Sequence, residues 1–195
     1  MNKFLDLILA STKDTPRYFI PQPDGKSPYL ERLVLEDKKD ASGKSLSKTY
    51  LHIIYAGDGD RDPHDHPYDF KSTIVFGSYI EHNYDFEPCQ AIAKHLAKLL
   101  SNDLEHTWKD NVCVRCNKHQ KDVPLVETTQ TYSVGDKNFK KAHQLHRLEL
   151  TGPVVALVKR GPKYRQWGFQ TADGWEAAPS YISRKFPNAD VVDVD

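Results

Sequence analysis

The sequence predicts a mainly β protein, built as a sandwich or barrel of antiparallel strands. Short apolar runs rich in β-branched and aromatic residues recur along most of the chain, and such runs are typical of strands. Between them lie turn-forming groups such as Gly135-Asp136, Thr151-Gly152-Pro153 and Asp173-Gly174, which suit tight connections between antiparallel strands. With 195 residues the chain can bury a sizeable core, and we expect one domain over residues 1–195.

The individual elements follow from these patterns. The strands are predicted at Tyr29–Leu35, Lys48–Tyr55, Ser72–Glu81, Thr128–Val134, His146–Leu150, Val154–Lys159 and Arg165–Gln170. A helix is expected over Met1–Ser11 and a helical turn near Tyr181. Leucines at helical spacing predict an amphipathic helix over Pro88–Ser101. Together with the polar, cysteine-containing stretch that follows, it would form a helical insertion of about residues 82–127 between strands of the barrel.

Charge and cysteine content exclude several classes of protein. Lysine plus arginine and aspartate plus glutamate each number 27, so no net charge attracts nucleic acid nonspecifically or an anionic membrane. No run approaches the roughly 20 apolar residues of a membrane span, and Asp6 interrupts the only candidate for a signal peptide. Three cysteines are too few for a secreted disulfide framework. We therefore expect a cytoplasmic protein whose thiols are reduced or bind metal.

The sharpest motif is His64-Asp65-His66. Residues two apart on a strand project from the same face, so both imidazoles can reach one point. His146 begins a later apolar strand and completes a predicted metal site of His64, His66 and His146. His143, three residues earlier, is either the third ligand in place of His146 or a residue at the entrance to the site. The plain alternative is that these histidines bind no metal.

These motifs resemble those of the cupins, small barrels of the double-stranded β-helix type. The first cupin motif is matched by Gly59, His64, His66 and Gly77, and the second by Gly135, Asp136 and His146. Phe70, with Asp69 beside it, stands where the family has a glutamate. The resemblance covers about Lys48 to Gln170, and Arg160–Gln170 also looks like a segment of uncharacterised bacterial and phage cupin-like proteins. It implies a jelly-roll barrel that holds a divalent metal through histidines alone, with iron favoured and manganese, nickel or zinc as alternatives.

Three residues are candidates for proton transfer beside such a metal. Asp69 would orient an imidazole or move protons, or else merely cap a turn. Tyr79 and Glu81 alternate on one predicted strand, and a phenol or carboxylate near the metal could act as acid or base.

Other residues are candidates for substrate binding. Arg165 and Trp167 would share one face of a late strand, where the guanidinium anchors an anionic group and the indole forms a flat wall. Ordinary packing is the alternative for Trp167. Tyr132, on another strand, and His143 complete the predicted substrate-binding set.

The cysteines suggest a second metal. Cys113-x-x-Cys116-x-x-His119, with Cys89 as a fourth ligand, predicts a structural zinc site in the insertion. Reduced thiols in a loop are the alternative.

The leading functional hypothesis is a metal-dependent cupin enzyme, an oxygenase acting on a small anionic or nucleotide-like substrate. One alternative is a non-catalytic cupin that binds, senses or sequesters a small molecule. The other is an interaction or structural protein, and the edge strands of a barrel would also support a homodimer.

Overall fold

The computed structural model describes residues 3–22, 24, 26–59, 61–89 and 105–186. Helix α1 spans Lys3–Ser11 and helix α2 spans Ala178–Lys185, and a 3-10 turn covers Gln120–Asp122. The strands are β1 (Arg17–Pro21), β2 (Pro28–Lys39), β3 (Ser45–Ile54), β4 (Phe70–Phe76), β5 (Tyr79–Phe86), β6 (Trp108–Lys109), β7 (Val112–Cys113), β8 (Leu125–Tyr132), β9 (Lys137–Lys140), β10 (Leu145–Leu150), β11 (Val154–Arg160), β12 (Gly168–Thr171) and β13 (Gly174–Ala177).

Antiparallel pairing joins the strands into two main sheets. The larger has the order β1-β2-β3-β11-β4-β9 and the smaller the order β10-β5-β8, while β12 pairs with β13 and β6 with β7. A shared apolar core includes Leu30 and Ile74 from the larger sheet and Tyr79 and Tyr132 from the smaller one. The predicted mainly β, jelly-roll-like barrel is therefore confirmed.

Strand alternation gives the larger sheet two apolar faces. Leu30 and Ile54 face the barrel core, whereas the neighbouring Leu33 and Ile53 point to the opposite side. There they pack with Leu5 of α1, so the N-terminal helix covers the outer face of the sheet. A helix was predicted at this end of the chain, over Met1–Ser11.

The single strand predicted over Ser72–Glu81 is wrong, because the chain turns at Gly77 between β4 and β5. Gly77 has φ +78, and a Cβ there would lie 2.6 Å from the carbonyl oxygen of Pro153. The break moves the second half of the predicted strand into the other sheet. This places Tyr79 and Glu81 on the wall of the barrel that faces the larger sheet.

The cysteine-containing excursion leaves the barrel between β5 and β8. These strands pair as far as Phe86 and Leu125, so the intervening chain covers residues 87–124. Most of the helix predicted over Pro88–Ser101 lies outside the described residues. Among the residues that the structure does describe, no helix has the length and hydropathy needed to cross a lipid bilayer.

Candidate metal centre

His64 and His66 lie in the connection between β3 and β4, which runs beside β10 and β12. His64 N–H donates to the carbonyl of His146 at 3.0 Å, and His146 N–H donates back to the carbonyl of His64 at 2.9 Å. His66 N–H donates to the carbonyl of Ala142 at 2.8 Å, and Asp65 N–H to that of Gly168 at 3.0 Å. These bonds hold the His-Asp-His segment extended, so its two histidines project to the same side.

The three predicted metal ligands converge inside the barrel. The ring centroids are separated by 5.2 Å for His64 and His66, 4.7 Å for His64 and His146, and 5.0 Å for His66 and His146. One nitrogen from each ring lies within 4.8 Å of the other two, a group that could hold a metal ion. Nε2 of His66 and Nε2 of His146 are 2.7 Å apart.

Glu81 fixes the orientation of His146. Its Oε1 lies 2.6 Å from Nδ1 of His146, and its Oε2 accepts from Asn138 at 2.9 Å and lies 3.1 Å from Nζ of Lys140. Because an ionised carboxylate only accepts, Nδ1 carries the proton of this contact, and in the neutral ring Nε2 presents its lone pair to His66. Burial alone would raise the pKa of Glu81, but hydrogen bonding to His146 and the charge of Lys140 outweigh it, and the pKa is lowered.

Burial disfavours the protonated forms of His64 and His66. It lowers the pKa of His64 to about 4, against a partial offset from the carboxylate of Asp58. Burial also lowers the pKa of His66 well below its usual value, and the neighbouring His146 and His64 lower it further. Neutral imidazole is the form that binds metals. Nδ1 of His64 is buried and makes no hydrogen bond among the described residues. Three converging imidazoles, of which His64 and His66 are half-buried and His146 is buried, fit a divalent transition metal.

The histidines open into a cavity of about 270 Å³. Trp167 and Phe169 line it near His64, with ring centroids 6.3 Å and 5.8 Å from that imidazole. Arg32 and His52, paired across β2 and β3, also line it. Nε of Arg32 and Nε2 of His52 are buried without a hydrogen-bond partner among the described residues, and such atoms cost free energy unless a ligand or water satisfies them. The cavity therefore combines apolar walls with polar groups that can receive an anion.

Asp69 does not line this cavity. Its carboxylate links neighbouring loops by hydrogen bonds. Its carboxylate accepts from the hydroxyl of Tyr164 at 2.6 Å, from Nζ of Lys141 at 2.9 Å and from the N–H of Ala142 at 2.9 Å. These hydrogen bonds, that of Tyr164 foremost, lower the pKa of Asp69 to about 2. This geometry fits the turn-cap alternative rather than a role beside the histidines.

Arg165 also points elsewhere than expected. Its Nη1 lies 2.6 Å from Oδ2 of the buried Asp65 and donates to the carbonyl oxygens of His66 and Ala142 at 3.2 and 3.0 Å. Asp65 further accepts from the N–H of Gly168 at 2.7 Å and from Nε1 of Trp175 at 3.0 Å. The expected shared face of Arg165 and Trp167 is wrong, because the ordered strand begins only at Gly168. The guanidinium pairs with the buried carboxylate of Asp65 instead. Through Asp65 and the carbonyl of His66, it stabilises the segment that contains both histidines.

The remaining predicted residues divide between cavity, core and surface. Tyr79 and Trp167 line the cavity, and the hydroxyl of Tyr79 accepts from Asn138 at 3.4 Å. Tyr132 packs in the core against Tyr79, with ring centroids 5.4 Å apart. His143 is exposed, whereas His146 is 4% exposed, so the structure brings His146 rather than His143 to the other two histidines.

The three cysteines form a second cluster, in which His106 takes the place of the predicted His119. Cys89, Cys113 and Cys116 lie together with His106, and the four ligand atoms are within 4.8 Å of one another. His119 is not part of this group, because its Nδ1 accepts from the N–H of Lys121 at 3.3 Å at the start of the 3-10 turn. Burial alone would raise the pKa of the Cys113 thiol, but the N–H groups of Cys116 and Arg115 lower it to about 6.

Sequence reasoning missed Glu81 as the partner of His146, Arg32 and His52 as polar residues of the cavity lining, and His106. Lone polar residues at inward positions of apolar strands are the signal that could have found Arg32 and His52. His106 stands seven residues before Cys113, outside the Cys-x-x-Cys-x-x-His motif, so its sequence position did not mark it as a ligand.

Comparison of the sequence with protein-family models and with curated proteins finds no match. Among solved structures, the chain is similar to Fe(II) HppE at 10% identity and a TM-score of 0.45, covering 76% of this chain and 57% of that one. It is similar to HutD from Pseudomonas fluorescens SBW25 at 10% identity and a TM-score of 0.44, covering 77% of this chain and 57% of HutD. It is similar to the oxalate decarboxylase of Bacillus subtilis, studied for its Mn(II) centres, at 13% identity and a TM-score of 0.41, covering 74% of this chain and 29% of that one. These are cupin-fold proteins, and the chain spans less than two thirds of the length of each.

Proposed function

We propose that this chain is a metal-dependent enzyme of the cupin type, acting on a small anionic substrate. The observation that carries the proposal is the convergence of His64, His66 and His146 in a buried cavity, with the proton of His146 held at Nδ1 by Glu81. A divalent metal held there would supply Lewis-acid polarisation or, as iron(II), activation of oxygen.

The metal that we propose is iron. Three imidazoles leave coordination positions open for a substrate or for oxygen, and iron is the metal that the resemblance to histidine-only cupin dioxygenases implies.

The cavity supports a small anion as substrate. Arg32 supplies a permanent positive charge, with a buried Nε that has no hydrogen-bond partner in the described part of the chain, and His52 offers Nε2 on the neighbouring strand. Trp167 and Phe169 provide aromatic walls near the metal ligands. A volume of about 270 Å³ admits a small molecule. The substrate would be bound with its anionic group toward Arg32 and its apolar part against the rings.

The proposal is tested on untagged protein loaded anaerobically with iron(II) and treated with nitric oxide, which binds iron(II) where a coordination position is open. We expect one iron per chain and an iron–nitrosyl electron paramagnetic resonance signal that is lost in His66→Ala and His146→Ala. The exposed His143→Ala is the matched control and should keep both. Oxygen consumption with a panel of small carboxylates and phosphonates then tests turnover. Protein that retains no transition metal at these histidines would overturn the proposal.

A second candidate is a binding protein without catalysis. The polar atoms of Tyr79 and Glu81, the two cavity residues predicted to transfer protons, are already engaged by Asn138, His146 and Lys140. Buried, unpaired polar atoms in the cavity are still expected to attract a ligand. Thermal stabilisation by a small anion, without oxygen consumption in iron-loaded protein, favours this candidate.

A further inference from the structure

Two separations within the cluster of Cys89, His106, Cys113 and Cys116 match those of a tetrahedral zinc site. Sγ of Cys89 and Sγ of Cys113 are 3.8 Å apart, and Sγ of Cys116 lies 3.6 Å from Nδ1 of His106. For zinc bonds of about 2.3 Å to sulfur and about 2.05 Å to nitrogen, tetrahedral angles give about 3.8 Å between two sulfurs and about 3.6 Å between sulfur and nitrogen. Both observed separations match, and the sulfur–sulfur distance is far longer than the roughly 2.05 Å of a disulfide.

The ring of His106 is held in the tautomer that a metal requires. Its Nε2 lies 3.0 Å from the carbonyl oxygen of Glu87, which can only accept, so Nε2 carries the proton and the lone pair of Nδ1 faces the thiols. The imidazole also stacks on Trp108, with ring centroids 4.6 Å apart and an interplanar angle of 10°. The orientation of His106 is therefore fixed by two contacts outside the cluster.

A tight turn presents the two neighbouring cysteines. The carbonyl of Cys113 accepts from the N–H of Asn117 at 2.8 Å, and the N–H of Cys113 donates to the carbonyl of Lys118 at 2.9 Å. Asn117 has φ 58, in the left-handed region that asparagine tolerates better than most residues. The turn directs the N–H groups of Arg115 and Cys116 to the sulfur of Cys113, on the side of Cys113 that belongs to the cluster.

We propose that Cys89, His106, Cys113 and Cys116 bind a structural zinc ion that fastens the excursion of residues 87–124 to the barrel. Four protein ligands complete the tetrahedral shell and leave no position for a substrate. Cys89 directly precedes residues 90–104, and His106 closely follows them, so one ion joins both ends of that segment. The short β6–β7 hairpin has few buried apolar residues, and zinc binding supplies the free energy that such a core lacks. The site is independent of the histidine centre in the barrel.

The test measures zinc by elemental mass spectrometry in a His66→Ala background, which removes metal from the barrel. We expect one zinc per chain there, and its loss on adding His106→Ala or Cys116→Ser. His119→Ala is the matched control, because His119 belongs to the same excursion but lies outside the cluster, and it should keep the zinc. Cobalt(II) substitution should give the intense visible bands of tetrahedral thiolate coordination with the same dependence on His106 and Cys116.

Limited proteolysis adds a readout of the structural role. Without the zinc ligands, cleavage within residues 87–124 should accelerate severalfold, while the barrel keeps its cooperative unfolding and, in chains with an intact His66, its iron. Absence of zinc in the His66→Ala protein overturns the proposal. So does a variant series in which His119→Ala loses the metal and His106→Ala retains it, or thiol titration that finds a disulfide between Cys89 and Cys113.

Discussion

Oε1 of Glu81 lies 2.6 Å from Nδ1 of His146, and the two residues are 0% and 4% exposed. They come from β5 and β10, neighbouring strands of the smaller sheet in which His146 pairs with Asn83 and Glu81 with Leu148. The carboxylate therefore reaches along the sheet to determine which nitrogen of His146 is available to a metal.

Glu81→Gln should weaken iron(II) binding about 10- to 100-fold, the usual effect of removing such a partner from a metal-binding histidine. Glutamine removes the negative charge that lies 3.1 Å from Nζ of Lys140. Its amide N–H₂ would also face Asn138 and Lys140, which are themselves hydrogen-bond donors. Competition with a chelator of known iron affinity measures the change. Glu149→Gln, an exposed carboxylate on β10, should leave the affinity within twofold, and equal effects of both variants would contradict this prediction.

Arg32→Met should weaken the binding of inorganic phosphate to metal-free protein tenfold or more. A hydrogen bond to a charged group contributes about 1.5–3 kcal/mol, and methionine preserves most of the side-chain volume. Thermal stabilisation as a function of phosphate concentration gives the dissociation constant. Lys71→Met removes an exposed cation from β4 and should change little. Unaltered phosphate affinity in Arg32→Met would exclude Arg32 as the anion-binding residue.

Arg165→Met should lower the free energy of unfolding by about 1.5–3 kcal/mol, because it strips a charged partner from buried Asp65. The side chain of Asp65 is only 3% exposed. Urea denaturation measures the loss. Arg184→Met removes an exposed ion pair with Glu176, and we expect less than about 1 kcal/mol there. If Arg165→Met instead abolished phosphate binding at full stability, the original expectation of a substrate anchor would return.

Gly77→Ala should destabilise the protein by about 1–3 kcal/mol. At φ +78 the added Cβ would meet the carbonyl of Pro153 at 2.6 Å, a backbone atom that cannot move aside without distorting β11. Gly152→Ala is the control, since a Cβ there meets nothing within 4 Å. Urea denaturation gives the free energy of unfolding of both variants. A Gly77→Ala protein as stable as Gly152→Ala would contradict the prediction and show that the turn has room to relax.

His82 should stabilise the protein only in its protonated form. Nδ1 lies 2.5 Å from Oε1 of Glu127 and Nε2 lies 3.1 Å from Oε2 of Glu149. The hydrogen bond with Glu127, followed by that with Glu149 against an opposing effect of burial, raises the pKa of His82 above its usual value. A raised pKa in the folded state gives a contribution that is complete below the unfolded pKa of about 6.5 and is lost as the pH rises through the folded value.

The measurement is the melting temperature of wild type minus that of His82→Gln between pH 5.5 and 8.5. We expect a small advantage for the wild type at the acid end that shrinks with rising pH, because both glutamates are largely exposed. An advantage that grows with pH would mean that the neutral imidazole is the stabilising form.

Local patterns were sufficient for much of the barrel and for identifying the three histidines that converge. Runs of β-branched and aromatic residues over Lys48–Tyr55 and Val154–Lys159 indicated strands that the structure contains as β3 and β11. The spacing of His64 and His66 placed both imidazoles on one side, as found. Asp69 and Arg165 were misplaced because their partners, Tyr164 and Asp65, come from distant parts of the chain, 95 and 100 residues away.

By itself the sequence determined the fold class and the three histidines, because side-chain alternation and turn residues act between near neighbours. Only the tertiary structure decided which carboxylate meets His146, since Glu81 lies 65 residues away and reaches it through the pairing of β5 with β10. It also decided that His106, and not His119, joins the cysteines, because the turn at Asn117 and the stack on Trp108 orient one ring toward the thiols and not the other.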